Sequence, residues 1–519
     1  MVEALHSDEV HEVIAKSPPW YKNGNLVKLY LLLTAPLLTS TAWGFDLSLT
    51  SGLQAVDQFM DNFGNPTGSK LGFFGASMSV GGLVACILGG TLADRFGRRG
   101  VCFVGAALVL GMALMQTFST NFDMFVGSKM IIGFGGNLQQ LGGPVLVSEL
   151  AHPKQRVLVT SLYNTSIFIG LILGSWITYG TYAIPSNWSW KIPCLLQVIL
   201  PAYQMTLIWF CPESPRWLVT RGRVEEARSI LIHYHGNGEE NLVVQAEMQD
   251  ILAGVEADAT QMKFNKEGIS SILGSKGNRH RLWICFWTAV GSQAAGGSLI
   301  ATYLPKILDQ VGMKTSKEQT LINAIISICN WLTAFLAAFV IPRIKRRTMF
   351  LFSTINFNLV FVVWTALTER YIATERKSFG IAVVVMIFAY NFFQTMCWIS
   401  LVIAYPLECV TAKQRGVFFA FTMFIINATA FVTSYTTPML LDSMSWKYYV
   451  GQCVWNCVYI AVIYFTYVET SGMTLEEIAV VFDGHEAFED ARMHAREELK
   501  MKMERDEMAE VEEKAVKQA

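Results

Sequence analysis

The chain has 519 residues, of which 52% are hydrophobic, 12% aromatic and only 16% charged, with a mean hydropathy of +0.36. A soluble globular chain carries about a quarter charged residues, so water on every side is excluded as its medium. The balance of 40 basic against 41 acidic residues, a formal net charge of -1, also excludes a nucleic-acid partner drawn by bulk positive charge.

Ten cysteines lie scattered through apolar runs with no C-x-x-C spacing, which removes disulfide-stapled and zinc-dependent classes. Cys453 and Cys457 share a helix face, where a buried apolar role is the expectation rather than a metal or disulfide. The composition is that of a membrane protein.

A helix crosses ~30 Å of hydrocarbon with about 20 apolar residues. Twelve such runs are predicted, starting near residues 29, 70, 101, 124, 157, 191, 282, 319, 348, 379, 416 and 447. The first is no cleaved signal peptide, because it follows a polar, charged leader and contains Trp43-Gly44-Phe45-Asp46 in place of a small-residue cleavage site. Basic residues cluster at Arg95, Arg98 and Arg99, at Lys154 and Arg156, from Lys276 to Arg281, from Arg343 to Arg347, and at Lys413 and Arg415. Alternating spans put all of these on one side, and the positive-inside bias makes that side the cytoplasm, together with both termini.

The resulting expectation is an all-α membrane protein of twelve transmembrane helices in two six-helix bundles, joined by a cytoplasmic helical linker. The divisions are a cytoplasmic N-terminal segment 1–28, a first bundle 29–211, the linker 212–281, a second bundle 282–468 and a cytoplasmic tail 469–519. A weak internal repeat supports it: Glu149 ends span four seven residues before Arg156, and Glu408 ends span ten seven residues before Arg415. The segment from His485 to Ala519 is highly charged, with few large apolar residues, and is expected to be an exposed helix or disordered.

Three strings in order carry a family resemblance. Gly89-Gly90-Thr91-Leu92-Ala93-Asp94-Arg95-Phe96-Gly97-Arg98-Arg99 resembles the loop between spans two and three of the major facilitator superfamily. Pro212-Glu213-Ser214-Pro215-Arg216-Trp217-Leu218, after span six, and Val468-Glu469-Thr470-Ser471-Gly472, after span twelve, are similar to the two signature strings of the sugar porter family. Within it, Leu162-Tyr163-Asn164-Thr165, Ser189-Trp190-Lys191-Ile192-Pro193 and Tyr234-His235-Gly236-Asn237-Gly238 look most like fungal lactose and cellodextrin permeases. The resemblance implies import of a sugar by alternating access, with a lactose- or cellobiose-type disaccharide favoured over a hexose or pentose. It implies no enzyme, cofactor or metal, and a monomer in the lipid bilayer of the plasma membrane.

Asp46 is an ionisable group inside an apolar span, which costs ~2.5–3.5 kcal/mol and marks a pathway. The family pattern makes it the proton-coupling carboxylate, with Lys129 of span four as partner where the family usually has Arg. Lysine neutralises the carboxylate as a point charge without a planar fork. A structural ion pair is the competing reading.

Polar amides inside apolar runs must face a cavity or another helix. Asn164 and Gln293 coincide with sugar-contacting positions of the family, Asn323 and Asn427 fall near such positions, and Ser298 stands where the family often has Asn. Gln394 and Trp398 on span ten offer an amide and a ring in place of the usual Pro-Trp string. The expected cytoplasmic gate pairs Arg98 with Glu149 and Arg346 or Arg347 with Glu408, with Arg156 and Arg415 nearby, latching the halves together on the inside. The second half is expected to latch differently, because Pro342-Arg343-Ile344-Lys345-Arg346-Arg347 lacks the usual acidic residue and glycine. An uncoupled facilitator and a nutrient-sensing receptor on the same fold are the alternatives.

Overall fold

The computed structural model describes residues 20–259, 274–411, 414–473 and 475–484. The charged segment from His485 to Ala519 and Lys413 lie outside the described residues. In chain order the helices are α1 (Gly24–Gly52), α2 (Asp57–Asn62), α3 (Gly68–Thr117), α4 (Phe122–Leu150), α5 (Arg156–Thr181), α6 (Trp188–Leu196) and α7 (Ile199–Ile208). The linker holds α8 (Pro215–Thr220), α9 (Val224–Tyr234) and α10 (Leu242–Ala259). The second half comprises α11 (Lys276–Ala294), α12 (Gly297–Gln310), α13 (Ser316–Val340), α14 (Arg346–Thr374), α15 (Lys377–Gln394), α16 (Ala404–Glu408), α17 (Arg415–Met444) and α18 (Lys447–Thr466), followed by α19 (Leu475–Asp483).

Ten of these segments are long and apolar enough to cross a membrane. One of the ten, α3, is 50 residues long, about 75 Å at the helical rise, and so crosses twice. It breaks at Gly97, whose φ of 81° and ψ of 169° are non-helical. The 29-residue α4 is not among the ten, since glycines, two glutamines and Lys129 dilute its hydropathy, yet it lies against α3 throughout. Among the described residues twelve crossings result, as the apolar runs predict.

Local chemistry explains where the helices begin. Asn23 Oδ1 accepts the backbone N–H groups of Asn25 and Leu26 at 3.0 and 3.1 Å to start α1. Asn121 Oδ1 accepts from Met124 to start α4, and Ser214 Oγ from Trp217 to start α8. Glu213 serves α3 in the same way from a distance. Its carboxylate accepts the N–H groups of Arg98 and Arg99 at 3.1 and 3.2 Å and occupies the space a side chain on residue 97 would need. In the second half Glu469 accepts from Arg346 and Arg347 at 2.7 and 3.2 Å to start α14. The two signature strings therefore cap equivalent helices.

Three spans are discontinuous among the described residues, the first being span six, which breaks between α6 and α7. Span seven turns at Gly296, with φ 106°, between α11 and α12. The carbonyls freed there are not left bare: Tyr390 Oη donates to Ala295 O at 2.9 Å and Gln452 Nε2 to Ala294 O at 2.6 Å. Span ten passes through a π-helical stretch, Thr395–Ile399, before reaching α16.

The halves meet along α3 with α17 and α5 with α13. Ser175 donates to Ser327 across α5 and α13 at 3.2 Å. At the end remote from the linker, Gln54 Nε2 donates to Thr302 O at 2.8 Å, and Tyr303 Oη reaches Ser434 O and Leu71 O. Gly72 and Gly75 on α3 admit this approach, since a Cβ on either would collide with Tyr435 O or Tyr303 Oη. That end is closed.

Candidate functional site

Asp46 lies in α1 and Lys129 in α4, with Nζ 3.4 Å from Asp46 Oδ1 and side-chain exposures of 2% and 0%. The pair is sealed from the closed end by Phe59, Phe74, Phe125 and Trp190, whose rings pack together. Lys129 Nζ sits 5.4 Å from the Phe74 ring centroid. Asp46 Oδ2 has no hydrogen-bond partner among the described residues. A buried pair offsets its desolvation only when every lone pair is met, and here one oxygen is not. The pair is therefore held through one carboxylate oxygen alone. One and two turns further along α1, Thr50 and Gln54 link Asp46 O to Thr302 of the other half.

Two amides, Asn137 and Asn427, meet between the two halves. Gly82 on α3 is the pivot: the side chains of Asn137 on α4 and Asn427 on α17 both reach the space its missing Cβ would occupy. Asn427 Nδ2 also donates to Met423 O at 3.0 Å and contacts Cys86 Sγ at 3.6 Å. Asn164 is exposed on α5, three helical turns from Ser175 and on the same face, which looks toward α13. Asn323 is half-buried on α13, one turn before Ser327. Gln293 donates to Ser292 Oγ at 3.3 Å, and the Gln394 amide fills the space above Gly297.

Two candidates are engaged elsewhere. Trp398 is 1% exposed, with Nε1 donating to Thr354 at 3.3 Å and its ring against Phe350 and Tyr459. No face of the indole is open in this conformation, because Gly291 lets span seven close over its edge. Ser298 is 3.2 Å from both Thr433 and Ser434 of α17.

At the linker end, Arg98 Nε is 3.8 Å from Glu149 Oε2, and Glu149 also accepts from the Ser214 hydroxyl. Arg346 donates twice to Glu408, at 3.3 Å each, and Glu408 accepts from Thr470 at 2.7 Å. Arg98 shares its charge with Asp94 at 3.7 Å; the second half has Pro342 at the matching position, and Arg346 Nη1 donates to Ile341 O at 2.8 Å.

Each pair is made within one half, which corrects the expected latch between the halves: the Gln54 and Tyr303 contacts that join them lie at the opposite end. Arg156 also departs from the gate. It pairs at 3.6 Å with Glu247 on α10, a nearly buried carboxylate that needs a counter-charge. Arg415 is exposed and makes no ion pair among the described residues.

Sequence reasoning missed Asn137, Gln54 and Tyr303. Asn137 sits inside the glycine-rich stretch of α4. Glu213 and Glu469 stood in the signature strings without a role, because their partners are more than a hundred residues away.

The sequence profile of the family described as "Sugar (and other) transporter" matches residues 32–482. The MFS-type transporter criB of Aspergillus cristatus is 24% identical, covering 88% of this chain and 93% of the relative. The sugar transporter STL1 of Saccharomyces cerevisiae is 25% identical, covering 92% and 84%. Among solved structures, the xylose transporter XylE from E. coli in an inward-open conformation superposes with a TM-score of 0.71 at 20% identity, covering 88% of this chain and all of that one. A second structure, the proton:xylose symporter XylE bound to 6-bromo-6-deoxy-D-glucose, gives 0.67.

Proposed function

The chain belongs to the sugar porter family of the major facilitator superfamily, and on that premise we propose that it imports a sugar together with a proton by alternating access. The observation that carries this reading is the sealed Asp46–Lys129 pair with one carboxylate oxygen unmatched. A buried carboxylate held by a single cation can exchange its charge for a proton as the two ends of the molecule open in turn. The driving force is sufficient, since one charge crossing 100 mV releases ~2.3 kcal/mol. The description of XylE as a proton:xylose symporter supports the coupling.

The sugar faces the amides of Asn137, Asn164, Gln293, Asn323, Gln394 and Asn427. Amides match hydroxyls as donor and acceptor together, which suits a polyol ring. A disaccharide of the lactose or cellobiose type is the first substrate to test, and the xylose and hexose-analogue likeness of the fold relatives puts those sugars beside it. The linker and both ends face the cytoplasm, because the basic clusters share that side. The Glu149 and Glu408 networks then brace the cytoplasmic end of each half, and the plasma membrane of a cell that takes up sugar is the expected location.

The test is uptake of labelled lactose, cellobiose, glucose and xylose in yeast lacking its own sugar transporters, with external pH recorded. Uptake with alkalinisation of the medium supports the reading. Uptake without any pH change makes Asp46 a structural pair and the protein a facilitator. Absence of uptake with the protein at the cell surface rejects transport of these sugars.

A further inference from the structure

A second group of titratable side chains is buried where the linker helices meet the first half. His235, directly after α9, has 2% of its side chain exposed. Its Nδ1 lies 2.5 Å from Glu247 Oε2 on α10, and its Nε2 lies 3.1 Å from the backbone carbonyl of Leu150, the last residue of α4. Both partners accept. A neutral imidazole has one N–H and satisfies one of them; only the imidazolium, with two, satisfies both. The site is sealed, so water does not take the place of the missing donor.

Glu247 is also 3.6 Å from Arg156 at the start of α5, so its second oxygen faces a cation. His152, in the turn after α4, packs edge to face with His235, ring centroids 5.2 Å apart. Its Nδ1 accepts the backbone N–H of Lys154, so that nitrogen carries no proton. Burial, then the charge of His235, pushes the His152 pKa down to about 4. His152 is therefore neutral at physiological pH. Tyr30 of α1 donates to Gln155 and faces Glu247, while Lys154 adds positive charge beside His152. His233 on α9 packs against Tyr234.

We propose that His235 and Glu247 form a proton-operated clasp fastening the linker helices to the end of span four: the protonated ring bridges Glu247 and Leu150 O, and loss of the proton strands one of them. The fastened state holds the proton, so acid tightens the clasp and alkali loosens it. The consequence reaches the transport machinery because Leu150 follows Glu149, and Glu149 is held by Arg98 and Ser214. Nearby, Asn23 just before α1 and Asn25 within it add long contacts to Tyr234 O and Asn237, at 3.5 and 3.3 Å, which do not titrate. The clasp stands independently of whether Asp46 couples a proton.

Amide hydrogen exchange of the full chain in lipid nanodiscs tests it, between about pH 5.5 and 8, across the range in which histidine titrates. After correction for intrinsic rates, α9 and α10 should exchange on the order of tenfold faster at the alkaline end, the effect of losing one charge-assisted hydrogen bond. In Glu247→Gln the introduced amide donates to an unprotonated Nδ1 and still accepts from Arg156, leaving Nε2–H for Leu150. That variant should stay protected at both ends of the range. His235→Gln, which takes no proton, should exchange fast at both. A wild-type protein whose α9 and α10 exchange independently of pH overturns the proposal, as does a Glu247→Gln variant with unaltered wild-type pH dependence. These two arms decide it even where His235→Gln fails to fold.

Discussion

Among single residues, Asp46 carries the sharpest consequence. Its carboxylate meets Lys129 through one oxygen only, and Lys129 is wholly enclosed by its neighbours. Asp46→Asn keeps the shape and removes the titratable group. Downhill exchange of labelled sugar should survive, while accumulation against a gradient should fall to the equilibrium value. A variant that still concentrates sugar would return the pair to a purely structural role. Lys129→Met, in contrast, leaves a buried carboxylate without its cation, a loss of about 3–5 kcal/mol when a buried pair is broken on one side. It should express poorly, and pairing it with Asp46→Asn should restore expression, because the uncompensated charge is then gone. Membrane expression of the single and double variants, measured by fluorescence size exclusion, checks this.

The elements show which parts of the fold a sequence discloses. The crossings were readable because about 20 apolar residues in a row have few other uses. Their breaks were not. Gly296 sits in an unremarkable Ala294-Ala295-Gly296-Gly297 run, and the side chains that satisfy the freed carbonyls come from Tyr390 and Gln452, distant in sequence. The roles of Glu213 and Glu469 were hidden for the same reason. Site amides on helix faces could be named from sequence, but whether each pointed at a cavity depended on packing. Trp398 was the failure of that kind, since nothing in a helical pattern separates a cavity ring from a core ring.

The shared capping chemistry yields a paired prediction at this scale. Glu213→Ala strands the N–H groups of Arg98, Arg99 and Ser214, and Glu469→Ala those of Arg346, Arg347 and Ser471. Unsatisfied buried donors cost about 1–3 kcal/mol each, reduced where water reaches them. Both variants should lower the apparent melting temperature in detergent by similar amounts. Tyr390→Phe should do so too, through the one carbonyl of Ala295. A Glu213→Ala protein as stable as the wild type would mean that the signature string acts only in transport.

For the whole molecule, the closed end is held where the backbones of the two halves come closest. Gly75 on α3 faces Tyr303 Oη, with the Tyr303 ring carbon at 2.8 Å and a Thr302 methyl at 2.9 Å from where a Cβ would stand. Both Tyr303 and Thr302 belong to α12 in the other half, and Thr302 O is also the acceptor for Gln54. A side chain on residue 75 fits only when α12 has swung away from α3. Gly75→Val should therefore hold this end open. The sugar would bind from that side but never be carried through, so equilibrium binding to purified protein should persist while uptake falls at least tenfold. Opening breaks the Gln54 and Tyr303 hydrogen bonds but leaves the core of each half intact, so overall stability should change little. Gln54→Ala shares the direction with less force, since it removes two hydrogen bonds without creating a clash. Thiol labelling of a cysteine placed at Ser51, which is 1% exposed in the closed form, separates the outcomes. Faster labelling in Gly75→Val than in the wild type fits an opened end, and unchanged labelling with normal uptake would show that α12 yields to the larger side chain without moving the halves.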